Sequence, residues 1–390
     1  MSTPFVRGPW RRAATILLGL LLLVTGTTAS FGRSEAPWST PELYPLARPG
    51  DIFFDPGERR RLLAGLTDDA RARYCGVERG GGWPHHGVVR NVTAEEQPAA
   101  TFALTMMQAG AVALAYDARS ARKAIIDNLR RFAKKGAFTR FKGAIDANSF
   151  YNLDRTLLPT IVAYGIVRDD PLLAPDERRV VESWLDRLVR KRGPERVVDE
   201  SRVSSRNNHR YLRDSVTMAW GALTGDQALF RDGVRRFRLA LEQMRPDGSL
   251  PLETDRGAMA LFYQRHAIGS LVTIAEIAAH QGYDLYALEN AAGGDLHDMV
   301  AFLARGVIDP AIVRTYTDEV QDLSFLTERG HDRHYMAWLE PYQARFPESA
   351  AAADLRRAMN AATDAPLPLL DDYAGGMTTC FFRPISKASP

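Results

Sequence analysis

Residues 103–136 read ALTMMQAGAVALAYDARSARKAIIDNLRRFAKKG. Ala103, Leu104, Met107, Ala111 and Leu114 recur at three- and four-residue steps, the period of one face of an α-helix rather than the alternation of a strand. A second helical run, 119–135, follows after a short break and ends at Gly136, a residue that readily closes a helix. Helices joined by so short a connection pack antiparallel. Leu157, Leu158, Ile161, Val162 and Ile166 form another such face, and segments 175–192, 210–223, 226–244, 257–281, 284–306, 333–345 and 349–361 have helical length. Starts are marked by Pro175-Asp176 and Thr224-Gly225-Asp226, ends by Gly193 and Gly282. The best strand signal is MTTCFF at 377–382. About ten helices in antiparallel pairs predict an all-α fold, either a stacked solenoid or a ring of helix pairs with a cleft at one end. The lack of a strict repeat period favours the ring.

The chain has 390 residues and a formal charge of +3, with a sequence pI near 8.8. All of that excess sits in residues 1–29, which carry Arg7, Arg11 and Arg12 and no acidic side chain. Without them the count is 47 basic against 47 acidic. A nucleic-acid surface needs a basic stripe, so no nucleic-acid partner is expected. Segment 1–29 has the form of a secretory signal: RGPWRR, an uncharged run over 13–24, then small residues, with Thr27 and Ala29 suited to the cleavage site. Its apolar run falls short of the ~20 residues of a permanent span. The expectation is a periplasmic or secreted monomer with no stable membrane insertion after cleavage, no later stretch apolar enough to span a bilayer, and a single catalytic domain over 30–390. Cys75 and Cys380 are the only cysteines; one bridge is permitted in an oxidising compartment, and two unpaired thiols are equally open.

Two segments depart from helix-pair filler. Ser205-Arg206-Asn207-Asn208-His209-Arg210-Tyr211 sets large polar residues in a row, although adjacent Asn residues before a helix also suit capping. Arg245-Pro246-Asp247-Gly248-Ser249-Leu250-Pro251-Leu252-Glu253 opens on a Pro-Asp-Gly turn and runs on to Arg256 and Tyr263. Seven residues apart on one helix, those two would share a face about 10 Å apart and could bracket a sugar ring. Asn148, Tyr151, Asn152 and Arg155 lie at helical spacing, as a sugar subsite or a solvated helix start, and Trp83 stands in the Gly-rich loop before His85-His86. His331 and His334 have ligand-like spacing but no clear third partner, so neither a metal nor another cofactor is expected.

Taken together, NNHRY at 207–211 and DGSLPLE…RGAMALFY at 247–263, with 47 residues from His209 to Arg256, resemble the family 5 alginate lyases, periplasmic enzymes that cleave poly-mannuronate. AWLEPY at 337–342 is similar to that family as well. The resemblance implies an incomplete (α/α) toroid and a metal-independent β-elimination on a polyuronate. Carried over by position, Asn208 and Arg256 would neutralise the uronate carboxylate, and His209 and Tyr263 would move protons. Asn207, Tyr211, Asn152, Arg155 and Trp83 are the candidate substrate contacts.

The chemistry explains those residue types. The C5 proton of a uronate is a poor acid while its carboxylate is ionised, and an amide with a guanidinium stabilises the enolate-like charge that abstraction creates. A cation beside a Tyr hydroxyl favours the phenolate, which can take the C5 proton and return one to the departing glycosidic oxygen. His209 serves the opposite C5 epimer or orients Tyr263.

The family block usually reads Asn-Asn-His-Ser-Tyr-Trp, whereas Arg210 stands here for the Ser and Leu212 for the Trp; Gln264 follows Tyr263 where the family often has His. These departures leave glucuronan, or another β-linked polyuronate, open as the substrate. Two further readings compete: an inverting glycosidase using two of Asp247, Glu253 and Asp255, and a polysaccharide-binding or export protein without turnover. With the charge otherwise balanced, Arg256, joined by Arg206 and Arg210, is expected to focus positive potential in a cleft; Arg59 is taken as a surface arginine for contrast.

Overall fold

The computed structural model describes residues 44–77, 82–92, 99–141, 147–190, 202–330, 333–363 and 367–385. Fourteen α-helices follow one another among them: α1 (Pro56–Ala64), α2 (Asp68–Cys75), α3 (Ala99–Tyr116), α4 (Arg119–Lys135), α5 (Ala147–Val167), α6 (Pro175–Arg190), α7 (Asn208–Thr224), α8 (Gln227–Gln243), α9 (Pro251–Thr254), α10 (Ala260–His280), α11 (Leu296–Ile308), α12 (Leu339–Arg345), α13 (Ala350–Ala362) and α14 (Thr378–Phe382). Two-residue strands β1 (Asn91–Val92) and β2 (Arg140–Phe141) pair in parallel. The expected signal, 1–29, lies outside the described residues; Tyr44–Pro390 forms one compact unit.

Two kinds of helix build the ring. α3 has no charged side chain and is buried on nearly every face, and α7 and α10 are buried almost throughout. α4, α6 and α8 instead bury a single stripe, Ile125, Ile126, Leu129 and Phe132 in α4, and turn most of their arginines outward, Arg236 of α8 being buried, as helices with one solvated face do. α3 packs on α5, α5 on α7 and α7 on α10, while α4 covers α3 and α8 covers α7. An inner row backed by outer amphipathic helices is the incomplete (α/α) toroid.

Several expectations change. By length and composition α3 could cross a bilayer, contrary to the expectation for later segments, but 72% of it is buried inside the fold, where it serves as a core helix. MTTCFF is no strand: Thr378–Phe382 is α14, with the Thr378 hydroxyl donating to the Ala337 and Leu369 carbonyls. A short apolar run carries no period that separates strand from helix. Segment 284–306 is helical only from Leu296, because Asn290 caps a turn through Gly293-Gly294 and Asp295 restarts the chain with a capping box. Cys75 and Cys380 are disulfide-bonded across 305 residues. Arg59 is not a surface residue; it is buried and donates to the Cys380 and Arg383 carbonyls.

Candidate active site

α7 and α10 bring the two sequence blocks side by side. Asn207 ends the preceding turn with extended backbone, and its side chain accepts from the His209 N–H at 3.2 Å, capping α7. Capping is thus what Asn207 does here. Asn208 is fully buried; its backbone N–H donates to Glu253 Oε1 at 2.7 Å and its Nδ2 lies 3.1 Å from His266 Nδ1. His209 is half-buried and stacks on Tyr151 of α5 with ring centroids 4.4 Å apart.

The second block is held by its own polar groups. Asp247 accepts from the Ser249 N–H and the Tyr316 hydroxyl, and Arg245 reaches Thr254 and Asp255. From α10, the buried Gln264 accepts from the Leu250 N–H at 2.9 Å and donates to the Gly248 carbonyl at 3.0 Å. The family departure at Gln264 therefore pins this loop.

Arg256 does not share a helix face with Tyr263. It precedes a 3-10 turn, Gly257–Met259, and α10 begins only at Ala260. Gly257 adopts φ +58°, and a Cβ there would meet the Glu319 carboxylate at 2.5 Å, so the turn depends on glycine. The turn folds the arginine back: its guanidinium carbon lies 3.9 Å from the Tyr263 ring centroid in place of the expected axial separation. Among the described residues no carboxylate comes within ion-pair distance of Arg256. Glu253 feels its charge: complete burial pushes that carboxyl up to about 8, against the lowering by the Asn208 N–H and Arg256. A neutral acid there leaves the guanidinium's charge available.

The ring between the blocks is His266, one turn beyond Tyr263, which the sequence reading passed over. Its centroid is 5.4 Å from Tyr151, 6.4 Å from Tyr263 and 4.2 Å from Tyr373. The signal was present in the sequence: a histidine three residues after the candidate Tyr shares its helix face. Tyr373 had no such signal, because it arrives from the C-terminal segment.

The other candidates lie elsewhere. Tyr211 is 1% exposed and donates to Gln243 Oε1 at 2.9 Å, which places it in the core and not against a polymer. Arg155 is buried and pairs with Asp372 at 2.9 Å; Arg329 and Arg333 share the same carboxylate. Burial alone would raise Asp372, but Arg155 and Arg329 outweigh it and hold that carboxyl well below its usual range. Asn152 lines a small cavity with Arg155, Thr156 and Asp372. Trp83 is half-buried against the hydrophobic core, in a loop tied to α3 by His86 and Thr105 at 2.7 Å. Arg210, expected in the cleft, is 1% exposed and shares Asp214 with Arg236, and Leu212 is fully buried. His331 lies outside the described residues; the buried His334 accepts from the Met336 N–H.

Arg256, Tyr263 and His266, with His209 reached through Tyr151, are thus grouped where the inner helices α7 and α10 of a helical toroid meet. The alginate lyase family model matches residues 108–313, more than half the chain, and the protein belongs to that family. It is 32% identical over 209 residues to a polysaccharide lyase of Stenotrophomonas maltophilia, covering 51% of this chain and 55% of that one. It is 30% identical over 222 residues to an alginate lyase of Azotobacter chroococcum, covering 56% and 55%. The chain spans about half the length of the curated relatives it matches. A variant of alginate lyase A1-III complexed with a tetrasaccharide superposes with a TM-score of 0.76 at 23% identity, over 90% of this chain and 99% of that one. The alginate lyase A1-III of Sphingomonas species A1 gives 0.70 at 24% identity, over 87% and 97%. At that identity the likeness is one of fold.

Proposed function

We propose that this protein is an exported polyuronate lyase that cleaves alginate, with poly-mannuronate preferred, by metal-independent β-elimination. The observation that carries the reading is Arg256: a guanidinium over the face of Tyr263 with no ion pair among the described residues, near a carboxyl whose affinity for its proton burial raises. Arg256 neutralises the uronate carboxylate, and Asn208 adds an amide donor once the groups that cover it part on binding. Tyr263, as the phenolate, takes the C5 proton; the C5–H electron pair becomes the C4=C5 double bond, the C4–O bond breaks, and Tyr263 returns the proton to the leaving oxygen. His209, held against Tyr151, serves the opposite epimer.

The two departures in the first block support alginate over another polymer, since Arg210 and Leu212 are both buried and neither reshapes a sugar-facing surface. The glycosidase reading loses its carboxylates: Glu253 is sealed, Asp247 is engaged in a turn and Asp255 pairs with Arg245. Incubation with poly-mannuronate, poly-guluronate and glucuronan is the test. A rise in ultraviolet absorbance from unsaturated uronate ends, fastest with poly-mannuronate, is expected. Reducing ends without absorbance would mean a hydrolase, and neither signal a binding protein.

A further inference from the structure

His266 has 1% of its surface exposed and its ring nitrogens meet two side chains of the candidate site, Asn208 and Tyr151. Asn208 Nδ2 lies 3.1 Å from Nδ1. An amide nitrogen can only donate, so Nδ1 accepts and the single proton of a neutral ring sits on Nε2. The Tyr151 hydroxyl lies 2.8 Å from Nε2 and 3.2 Å from Nδ1, and with Nδ1 taken by Asn208 its nearer partner is Nε2. That oxygen accepts from Nε2 and passes its own hydrogen to the Tyr373 hydroxyl. The ring stays neutral for two reasons: burial, and then the repulsion of Arg265, His209, Arg155 and Arg329, which together hold it well below the usual imidazole range. Tyr263 and Tyr373 close its remaining faces.

Neither neighbour is incidental. Asn208 is the amide proposed to meet the uronate carboxylate. Tyr151 is the ring on which His209 stacks, with 28° between planes. A single buried imidazole therefore fixes the amide directly and the second histidine through one intermediate ring. A neutral imidazole carrying one acceptor and one donor nitrogen suits this task; an imidazolium could not accept from Asn208, and a phenyl ring could bond to neither.

We propose that His266 is a positioning residue for the elimination, acting through Asn208 and through the Tyr151–His209 stack without touching substrate. The proposal rests on the lyase reading above. Because the carboxylate's charge grows only as the C5 proton leaves, a misplaced amide penalises the transition state more than the bound ground state.

His266→Phe keeps the ring volume and removes both nitrogens; His266→Gln keeps a group able both to accept and to donate. His266→Phe is expected to lower kcat about 10- to 100-fold, the range that a small misplacement of catalytic groups produces, with KM changed less than about threefold. His266→Gln should recover part of that loss, and Tyr151→Phe should lower kcat by a smaller factor. A His266→Phe enzyme with the wild-type kcat overturns the proposal and leaves the lyase reading standing.

A second measurement needs neither turnover nor a folded variant. Nitrogen-15 spectra of the wild-type histidine rings should show two neutral Nε2–H rings that do not titrate between about pH 5 and 8, His334 and His266, the latter assigned by its through-space contact with the Tyr373 ring. A titrating or Nδ1-protonated His266 also overturns the proposal. If the wild type leaves all three polyuronates intact while that ring signal is present, the lyase reading fails, and the hydrogen-bond arrangement stands without a catalytic role.

Discussion

At the scale of single residues, the arginines sort by whether their charge is already spent. Arg59 serves backbone carbonyls, Arg155 and Arg329 serve Asp372, and Arg210 and Arg236 share Asp214. Arg256 faces an aromatic ring and, among the described residues, no anion within ion-pair distance. Arg256→Ala should therefore lower kcat/KM on poly-mannuronate by about 100-fold or more, the scale of removing a donor from a charge-stabilising site. Arg235→Ala, whose side chain is 58% exposed beside Asp232, should change it less than about twofold. Initial rates of absorbance rise measure both, and equal effects would dissolve the idea of a focused cleft. Glu253 makes a second prediction. Its folded-state carboxyl sits near 8 against an ordinary 4.5, so the native state binds its proton more tightly than the unfolded chain. The stability this confers is complete below about pH 4.5 and is lost as pH rises through 8. Glu253→Gln keeps an acceptor for the Asn208 N–H and cannot ionise. Between pH 5 and 8.5 its melting temperature should fall less than that of the wild type; parallel curves would mean that Glu253 is already ionised in the fold.

At the scale of elements, the helical segments and the two polar blocks were legible because both are local signals: a period, a turn, a run of polar residues. What escaped needed neighbours in space. The Arg256–Tyr263 separation was misjudged because Gly257 turns the chain before α10 begins, a break that helical spacing cannot register. Tyr211 and Arg155 looked like sugar contacts, since nothing in their spacing tells which partner, Gln243 or Asp372, will claim them. Gln264 was visible only as a departure from the family block; its function emerges from the two backbone groups of the 245–255 loop that it satisfies. Gln264→Leu leaves the Leu250 N–H and the Gly248 carbonyl without their partner in a buried setting. The expected cost is about 2 kcal/mol or more, read as a lower urea midpoint. KM should rise with it, because Arg256 is carried on the same loop. An unchanged midpoint would show that the loop keeps its shape without the amide.

At the scale of the whole molecule, the charge balance and the covalent connection bear on how the ring holds its site. Residues 30–390 carry 47 basic and 47 acidic side chains, so attraction for a polyanion has to come from a few placed cations rather than a global field. The frame around the site depends on the C-terminal segment, since Asp371, Asp372 and Tyr373 tie Arg155, Arg329 and the His266 network together. The same segment is anchored a few residues later by Cys380, bonded to Cys75 at the end of α2, with Arg59 of α1 holding the Cys380 carbonyl. A cross-link closing 305 residues restricts the unfolded chain strongly, and losing a native bridge typically costs about 2–5 kcal/mol. Cys75→Ala with Cys380→Ala should lower the denaturant midpoint by that order. Turnover at 25 °C should change much less, because the three arginines on Asp372 hold the segment in the folded state without the bridge. Denaturation curves and kcat on the same preparation separate the two effects. A variant that keeps its midpoint but loses turnover would reverse the assignment, making the disulfide a support of the site rather than of the fold.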